Sequence, residues 1–356
     1  MIAYSLVFVF CSFGFYLDDI KSKYSNSFFI LLFSYLLFLI GLRYEIGGDW
    51  INYFNNFQAI NNIFFSNYFE QDLGILFKTE PVLVLLNLIT PNIYIFNLSC
   101  SFIFLLGLFV LISSFDDKYL SIVIAIPFLI LLVALGYQKQ SVTLGFLMLS
   151  YNFYIRNNFF LFIVFALISC LSHYSASFII IFILYDLIIN KKTKINLFVL
   201  ILFIIFIIMF IIISFDKINN VLINNYILEK QRSISNGVIP RLSIQIISII
   251  FFFISYKYWN NRIEIKRIIL FNIILTILTL PFVTLYSNLI DRMLFYFMII
   301  QLMIFGNYRI ILYNKFYLMF RVSIYTLYLF LTFFWFTFSY FADYWVPYNN
   351  ILFPIS

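Results

Sequence analysis

The chain of 356 residues is 64% hydrophobic and only 10% charged, with a mean hydropathy of +1.02, so few residues remain to cover a soluble surface. Much of its net charge of +7 lies in short loops, where basic residues set membrane orientation, so the charge does not indicate nucleic-acid binding. A transmembrane β-barrel is excluded because the short alternating segments of that fold are missing. We therefore predict an all-α, polytopic integral membrane protein.

Apolar runs of spanning or near-spanning length follow one another along the chain and predict about 12 transmembrane helices. The first run lacks a basic n-region and a small-residue cleavage site, so it is predicted to be a retained span. No Pro/Gly/Ser linker and no internal repeat divides the chain, and we predict a single domain over residues 1–356. The predicted spans lie near residues 1–17, 27–42, 94–114, 119–136, 140–155, 158–173, 175–190, 195–214, 239–259, 267–287, 291–308 and 317–338.

The basic loops assign a side of the membrane to each connection. Lys21 and Lys23 place the first loop in the cytoplasm, and the same path places every other strongly basic loop there. Both termini then lie outside the cytoplasm. So do a loop of residues 43–93, a second loop of residues 215–238 and a tail of residues 339–356.

Residues 75–92 do not fit a full span. Glu80-Pro81 and Thr90-Pro91 bracket a run of about nine apolar residues, whereas crossing the membrane needs about 20. We predict a short re-entrant or interfacial helix on the outer side, which is tolerated where protein covers it or where it lines a cavity. If this segment crossed the membrane, everything that follows it would invert.

Four cations begin or end long apolar runs, and the predicted path puts all of them on the outer face: Arg43, Lys139, Arg241 and Arg292. A cation beside hydrocarbon is costly and is seldom found without an anionic partner or substrate. Arg241 or Arg292 alone could anchor a helix end by snorkelling. The whole set favours a multiply charged anion, because guanidinium groups pair bidentately with phosphate.

Carboxylates lie near these cations in the sequence. Gly47 and Gly48 allow a tight turn that brings Asp49 close to Arg43, and both an Arg–Asp staple and an active-site role remain open for this pair. Glu80 either complements the dipole of the short helix or serves the same external site.

Polar residues also interrupt the apolar runs at two outer turns. Gln138, Lys139 and Gln140 form a donor-rich group that suits phosphate or sugar hydroxyls. His173 is the only histidine, and its place among hydroxyl side chains at the membrane boundary favours a functional role.

Other chemistry finds no support in the sequence. A lone histidine and three cysteines without metal or disulfide spacing predict no metal site. Walker A, GxSxG and HExxH motifs are missing, so neither ATP use nor serine hydrolysis is indicated, and we predict no cofactor.

Several ordered segments resemble the EpsG/Wzy family of bacterial polysaccharide polymerases. They are RYEIGGDWINY at 43–53, Glu80-Pro81, QKQSVTLGFLMLS at 138–150, SHYSA at 172–176 and DRMLFYF at 291–297. The segment YWVPY at 344–348 is similar to the tail of O-antigen polymerases. Lys139 departs from the family pattern, which commonly carries Arg; lysine keeps the charge but loses the bidentate fork.

The resemblance implies an O-antigen or surface polysaccharide polymerase of the bacterial inner (cytoplasmic) membrane, similar in architecture to C-type glycosyltransferases. Such an enzyme transfers a growing glycan from undecaprenyl diphosphate onto a lipid-linked repeat unit at the periplasmic face. The implied partners are an undecaprenyl-diphosphate-linked oligosaccharide as donor and acceptor, membrane lipid and a chain-length regulator protein.

Within that reaction we predict roles for the external residues. Arg43, Lys139, Arg241 and Arg292 would bind the diphosphate, with Asp49 ordering Arg43. His173 is favoured as the base for the acceptor hydroxyl, with Glu80 and Asp49 as the other catalytic residues. Gln138, Gln140, Tyr174 and Trp345 would contact the glycan.

Two other functions compete with this one. A flippase of the lipid-linked oligosaccharide also needs many spans and buried cations, but it should place ionisable residues near mid-membrane. An O-antigen ligase shares both the substrate and the membrane face. The sequence leaves open the sugars, the linkage stereochemistry, chain-length control and the oligomeric state.

Overall fold

The computed structural model describes residues 1–64, 80–189, 235, 237–311 and 316–352. These ranges are helical apart from turns and one isolated bridge between Arg43 and Asn350. The α-helices are α1 (Ile2–Asp19), α2 (Ser25–Gly41), α3 (Trp50–Phe64), α4 (Pro81–Ile89), α5 (Ile93–Ile112), α6 (Lys118–Ala125), α7 (Gln138–Ile155), α8 (Phe159–Ser172), α9 (Phe178–Ile189), α10 (Val238–Ile254), α11 (Ile263–Thr279), α12 (Ser287–Phe297), α13 (Ile299–Gly306) and α14 (Tyr317–Phe338).

The helices agree with a multi-pass membrane protein. Within the described ranges, five stretches are long and apolar enough to cross a membrane by length and composition: Ile2–Asp19, Ile93–Ile112, Ile263–Phe282, Ser287–Gly306 and Tyr317–Phe338. Shorter apolar helices match most of the other predicted spans. The span predicted at 195–214 and most of the loop predicted at 215–238 lie outside the described residues, so the total of twelve stays a prediction.

Local capping fixes where several helices begin. The side chain of Asn92 accepts the backbone N–H groups of Tyr94 and Ile95 (3.1 and 3.0 Å) and starts α5. Asp117 accepts the N–H of Leu120 (2.9 Å) at the start of α6. A π-helix (Ile126–Ala134) continues α6 and completes the apolar stretch.

Glycines bring the central helices into close contact. A Cβ atom on Gly107 of α5 would collide with the backbone of Gly145 on α7, and one on Gly145 would collide with the backbone of α5 at Ile103. Small residues at such crossings let membrane helices approach closely and gain packing energy. This contact fixes α7 against α5 and positions the N-terminal turn of α7.

One end of the bundle, which we name the inner end, is fastened by ion pairs. Buried Arg321 binds Asp19 and Asp117, with one N···O distance of 2.8 Å to each. Arg262 binds Asp116 at 2.6 Å. These residues lie in or beside the loops that were predicted to be cytoplasmic, so several of those loops meet at one end.

The opposite end, which we name the outer end, holds the turns that were predicted to be external. Tyr44 and Leu42 form backbone hydrogen bonds of 3.1 and 3.0 Å with the C-terminal tail, at Asn349 and Ile351. Gly47 adopts a positive φ of 98°, as the paired glycines predict, and its N–H donates to Tyr344 (3.0 Å).

The described part of the segment predicted as an external loop at 43–93 contains two helices. The short helix is α4, whose nine residues are about half the length that a span needs. Helix α3 was not predicted, because its segment is too polar for a span. It buries Trp50 and Phe57 along one face, at a spacing of seven residues.

Candidate active site

Three side chains meet at the outer end and form what we name the Glu80 triad. Glu80 is almost completely buried, with 5% of its side chain exposed, and its Oε2 lies 2.7 Å from Nζ of Lys139. Its Oε1 lies 2.7 Å from Nδ1 of His173. Lys139 and His173 keep 38% and 23% of their side chains exposed, so both reach the surface from a buried carboxylate.

Helix ends place the triad. Glu80 precedes Pro81 at the start of α4, where proline is favoured and a carboxylate complements the helix dipole. Lys139 lies in the first turn of α7, and His173 ends α8 in an extended conformation. Three ends from separate parts of the sequence therefore converge on one carboxylate.

The triad has the geometry of an oriented base. When Nδ1 of His173 donates to Glu80, Nε2 is left with a lone pair and the ring is fixed in orientation. A base held by a third group is the arrangement that activates hydroxyl nucleophiles.

Tyr53 of α3 joins this group and was not singled out from the sequence. It is partly exposed, and its hydroxyl lies against the backbone N–H of Lys139. Asp49, Glu80 and Arg292 all lie within electrostatic range of it. Burial raises the pKa of the Tyr53 phenol, which keeps it a neutral hydrogen-bonding group. Its place within the RYEIGGDWINY segment was the available signal.

Arg241 is held by a carboxylate that the sequence analysis did not assign to it. Its Nε donates to Oδ1 of Asp291 at 2.6 Å, and a terminal nitrogen donates to Oδ2. Ser235 also donates to this carboxylate (2.8 Å), and the guanidinium lies 4.8 Å from the ring centroid of Phe295. Because Arg241 is buried and its charge is compensated, it fits a positioning role better than direct diphosphate binding.

Arg292 is the next residue on α12 and differs from Arg241. Its side chain is exposed, and within the described part of the chain it forms no ion pair. It lies in electrostatic range of Tyr53, Tyr137 and Tyr296, which places it near the triad. Lys139 and Arg292 are thus the two predicted cations that present charge at the surface.

Arg43 is buried beneath the outer end, with 2% of its surface exposed. One terminal nitrogen donates to the carbonyls of Ile40 and Ala134 (3.0 and 3.2 Å), and no described residue accepts a hydrogen bond from its Nε. The predicted pair with Asp49 does not form among the described residues. Burial lowers the pKa of Arg43 to about 10, so it remains a cation at neutral pH.

Of the four predicted glycan contacts, three are buried and one, Tyr174, is partly exposed. Gln138 and Gln140 are buried in the first turn of α7, where Gln138 donates to Asn97, while Tyr174 is partly exposed beside His173. Trp345 is buried: its indole N–H donates to the carbonyl of Leu131 at 2.8 Å. This placement makes Trp345 a packing residue rather than a surface contact.

A pocket of about 180 Å³ opens beside the triad, between α3 and α4. We name it the α3–α4 pocket. Its walls include Tyr53, Phe57, Glu80, Asn87, Gln138 and Lys139. Asn87 was not predicted, since one asparagine in a short apolar helix carries little signal.

Metal chemistry gains no support from the described ranges. No group of three or more His, Cys, Asp or Glu side chains lies close enough there to hold an ion. The cysteines at 11, 100 and 170 are buried and free.

These features define a class of protein: a helical membrane protein with an oriented histidine and surface cations at one end of the bundle. A family model, described as the EpsG family, matches residues 26–350, and the chain belongs to that family. Membership makes it a membrane protein of polysaccharide biosynthesis with a glycosyltransferase-like character. Neither a curated protein nor a solved structure matches the chain.

Proposed function

We propose that the chain is a polysaccharide polymerase that makes O-antigen or a related surface glycan. It transfers a growing glycan from undecaprenyl diphosphate onto a lipid-linked repeat unit. The observation that carries the proposal is the Glu80–His173 pair, held at 2.7 Å beside the surface cations Lys139 and Arg292. A base and a set of anion-binding groups are the two parts that this reaction needs.

The reaction forms one glycosidic bond and breaks one sugar–phosphate bond. His173 Nε2 takes the proton of the acceptor hydroxyl while the oxygen of that hydroxyl bonds to the anomeric carbon of the donor sugar. The electron pair of the departing bond passes to the diphosphate, which leaves on its lipid. Glu80 stabilises the imidazolium that forms, because its carboxylate accepts a hydrogen bond from the Nδ1–H.

Surface cations stabilise the leaving group. Negative charge grows on the diphosphate in the transition state, and the exposed cations Lys139 and Arg292 would stabilise it. In a site of low dielectric, removing one such donor costs about 2–4 kcal/mol of barrier. Arg241, held by Asp291 one residue before Arg292, fixes the turn that presents this guanidinium.

The periplasmic face is the proposed side of the reaction. The inner end carries the loops of Lys118 and Arg262, and positive-inside charge supports the cytoplasm for that end. The Glu80 triad, at the opposite end, then faces the periplasm of the inner membrane. A lipid-linked diphosphate would keep its charged group there and its chain in the bilayer.

A flippase is the main alternative function, and the positions of the charged side chains in the described bundle argue against it. The polar chain in the middle of the described bundle is neutral: Tyr328 donates to Gln301 (2.7 Å), which donates to Gln245 (2.8 Å). A carrier that serves both faces should place ionisable groups near mid-membrane. Here the cations of the proposed site lie at one boundary.

The lipopolysaccharide ladder of a deletion strain tests the proposal. Loss of a polymerase leaves lipid A core carrying a single repeat, and the wild-type gene restores the ladder. Bare core in the deletion strain would contradict the proposal and indicate a flippase or a ligase. A strain that carries His173→Ala should match the deletion strain, provided that the protein is present in the membrane at wild-type level.

A further inference from the structure

The α3–α4 pocket has the size and walls of a site for one sugar ring. Its volume of about 180 Å³ is below the roughly 300–1,000 Å³ of pockets for drug-sized ligands. Phe57 and Phe96 line it, both largely buried, with ring centroids 5.7 Å apart. Aromatic faces of this kind pack against the apolar C–H face of a pyranose.

Two buried amide oxygens in the pocket walls accept no hydrogen bond from any residue that the structure describes. Asn87 is 2% exposed and Gln138 is 1% exposed, and no described group donates a hydrogen bond to Oδ1 of Asn87 or to Oε1 of Gln138. A buried acceptor that gives up its hydrogen bond to water and gains none in return destabilises the fold. Two of them lining one small cavity therefore point to a ligand that supplies donors.

Charge decides which part of the substrate fits. The pocket presents the Glu80 carboxylate and amide oxygens, which accept hydrogen bonds from hydroxyl groups. Lys139 also lines it, but this cation is paired with Glu80 at 2.7 Å, so the lining carries no net positive charge that would favour a diphosphate. The buried Arg241–Asp291 pair and the exposed Arg292 do not line it. A neutral, hydroxyl-rich group is the complementary ligand.

We propose that the α3–α4 pocket binds the terminal nonreducing sugar of the acceptor repeat unit, through Asn87, Gln138 and the Phe57–Phe96 wall. The inference rests on the proposed function, because it assigns that pocket to the acceptor rather than to the lipid-linked donor. Glu80 lines the pocket and binds His173, so a sugar seated there has its hydroxyls beside the proposed base.

The test uses the repeat-unit oligosaccharide, released from its lipid by mild acid, as the probe. It lacks the diphosphate and so reports on the sugar site alone. We expect it to raise the thermal unfolding temperature of the purified wild-type protein in detergent and to inhibit elongation. Asn87→Leu should raise the oligosaccharide concentration that is needed for either effect about tenfold. It should not lower the unfolding temperature of the unliganded protein, because the substitution removes a buried acceptor that no described residue pairs.

Asn152→Leu is the matched control. Asn152 is also buried, its Oδ1 also lacks a donor in the described structure, and it lies on α7, 14 residues beyond Gln138. That separation is about 21 Å along a helix. Phe57→Leu provides a second test, since it removes one aromatic face while keeping an apolar side chain; we expect binding about threefold weaker.

The outcomes separate the two proposals. Binding by the wild type without elongation would refute the polymerase and leave the pocket standing. Elongation with equal inhibition of the wild type and Asn87→Leu would refute the pocket alone. No binding by the wild type, or equal weakening by Asn152→Leu, would also overturn the assignment.

Discussion

Glu80→Gln removes the charge of the carboxylate at the centre of the triad and changes its shape very little. Two charge-assisted contacts of 2.7 Å depend on that charge, one to Lys139 and one to His173. Hydrogen bonds to charged groups contribute roughly 1.5–3 kcal/mol each. The bond to His173 strengthens during the reaction, since the ring becomes cationic when it takes the proton.

The expected effect is therefore on the rate. A loss of about 3 kcal/mol of transition-state stabilisation corresponds to roughly 150-fold in kcat. The assay is elongation of purified lipid-linked repeat unit by the protein in liposomes, with products separated by length. Glu264→Gln is the control, because Glu264 also lies at the start of a helix, α11, but at the inner end.

A double variant tests whether the pair acts as a unit. Residues that share one step are strongly non-additive, so Glu80→Gln combined with His173→Ala should be no slower than His173→Ala, within about threefold. Wild-type turnover in Glu80→Gln would refute the oriented-base argument. The argument would also be refuted if the rate of the double variant fell by the product of the two single-variant losses.

Further predictions concern the cations. Arg292→Glu should abolish chains longer than one repeat, whereas Arg156→Glu, at an exposed arginine that ends α7 on the side predicted to be cytoplasmic, should allow them. Normal ladders in both strains would remove Arg292 from the mechanism. Arg241→Leu should lower the free energy of unfolding in denaturant by roughly 3 kcal/mol, because it leaves the buried Asp291 carboxylate without its partner. Adding Asp291→Leu should recover most of that loss. No recovery in the double variant would contradict the pairing. Lys139→Met should slow elongation about 100-fold, while Lys139→Arg should stay within about threefold of the wild type; equal rates for the two variants would exclude a role for this charge.

The convergence of turns at the outer end followed from sequence alone. Two turns lie on the same membrane face when an even number of spans separates them, and on opposite faces when the number is odd. That reasoning grouped Glu80, Lys139 and His173 although they are separated by 34 or more positions. It needed only apolar run lengths and basic loops, which are strong signals.

The pairings within that end could not be predicted. Arg241 pairs with Asp291, while the sequence analysis weighed a pair between Arg43 and Asp49. Which residues touch depends on how each helix is rotated about its axis. Helices that are apolar on nearly all sides, such as α2 and α5, carry no periodic signal that fixes this rotation.

The two ends of the bundle each bury an arginine, but they treat its charge differently. Arg321 at the inner end is 3% exposed and is satisfied by Asp19 and Asp117, each at 2.8 Å. Arg43 at the outer end is 2% exposed, but among the described residues it meets backbone carbonyls and no carboxylate. A buried cation without a counter-ion is costly, so its retention indicates that the outer end gains from positive potential. Because Arg43 lies within electrostatic range of Tyr53, whose hydroxyl lies against the backbone N–H of Lys139, that potential extends to the triad, beside which the diphosphate of the proposed donor would lie.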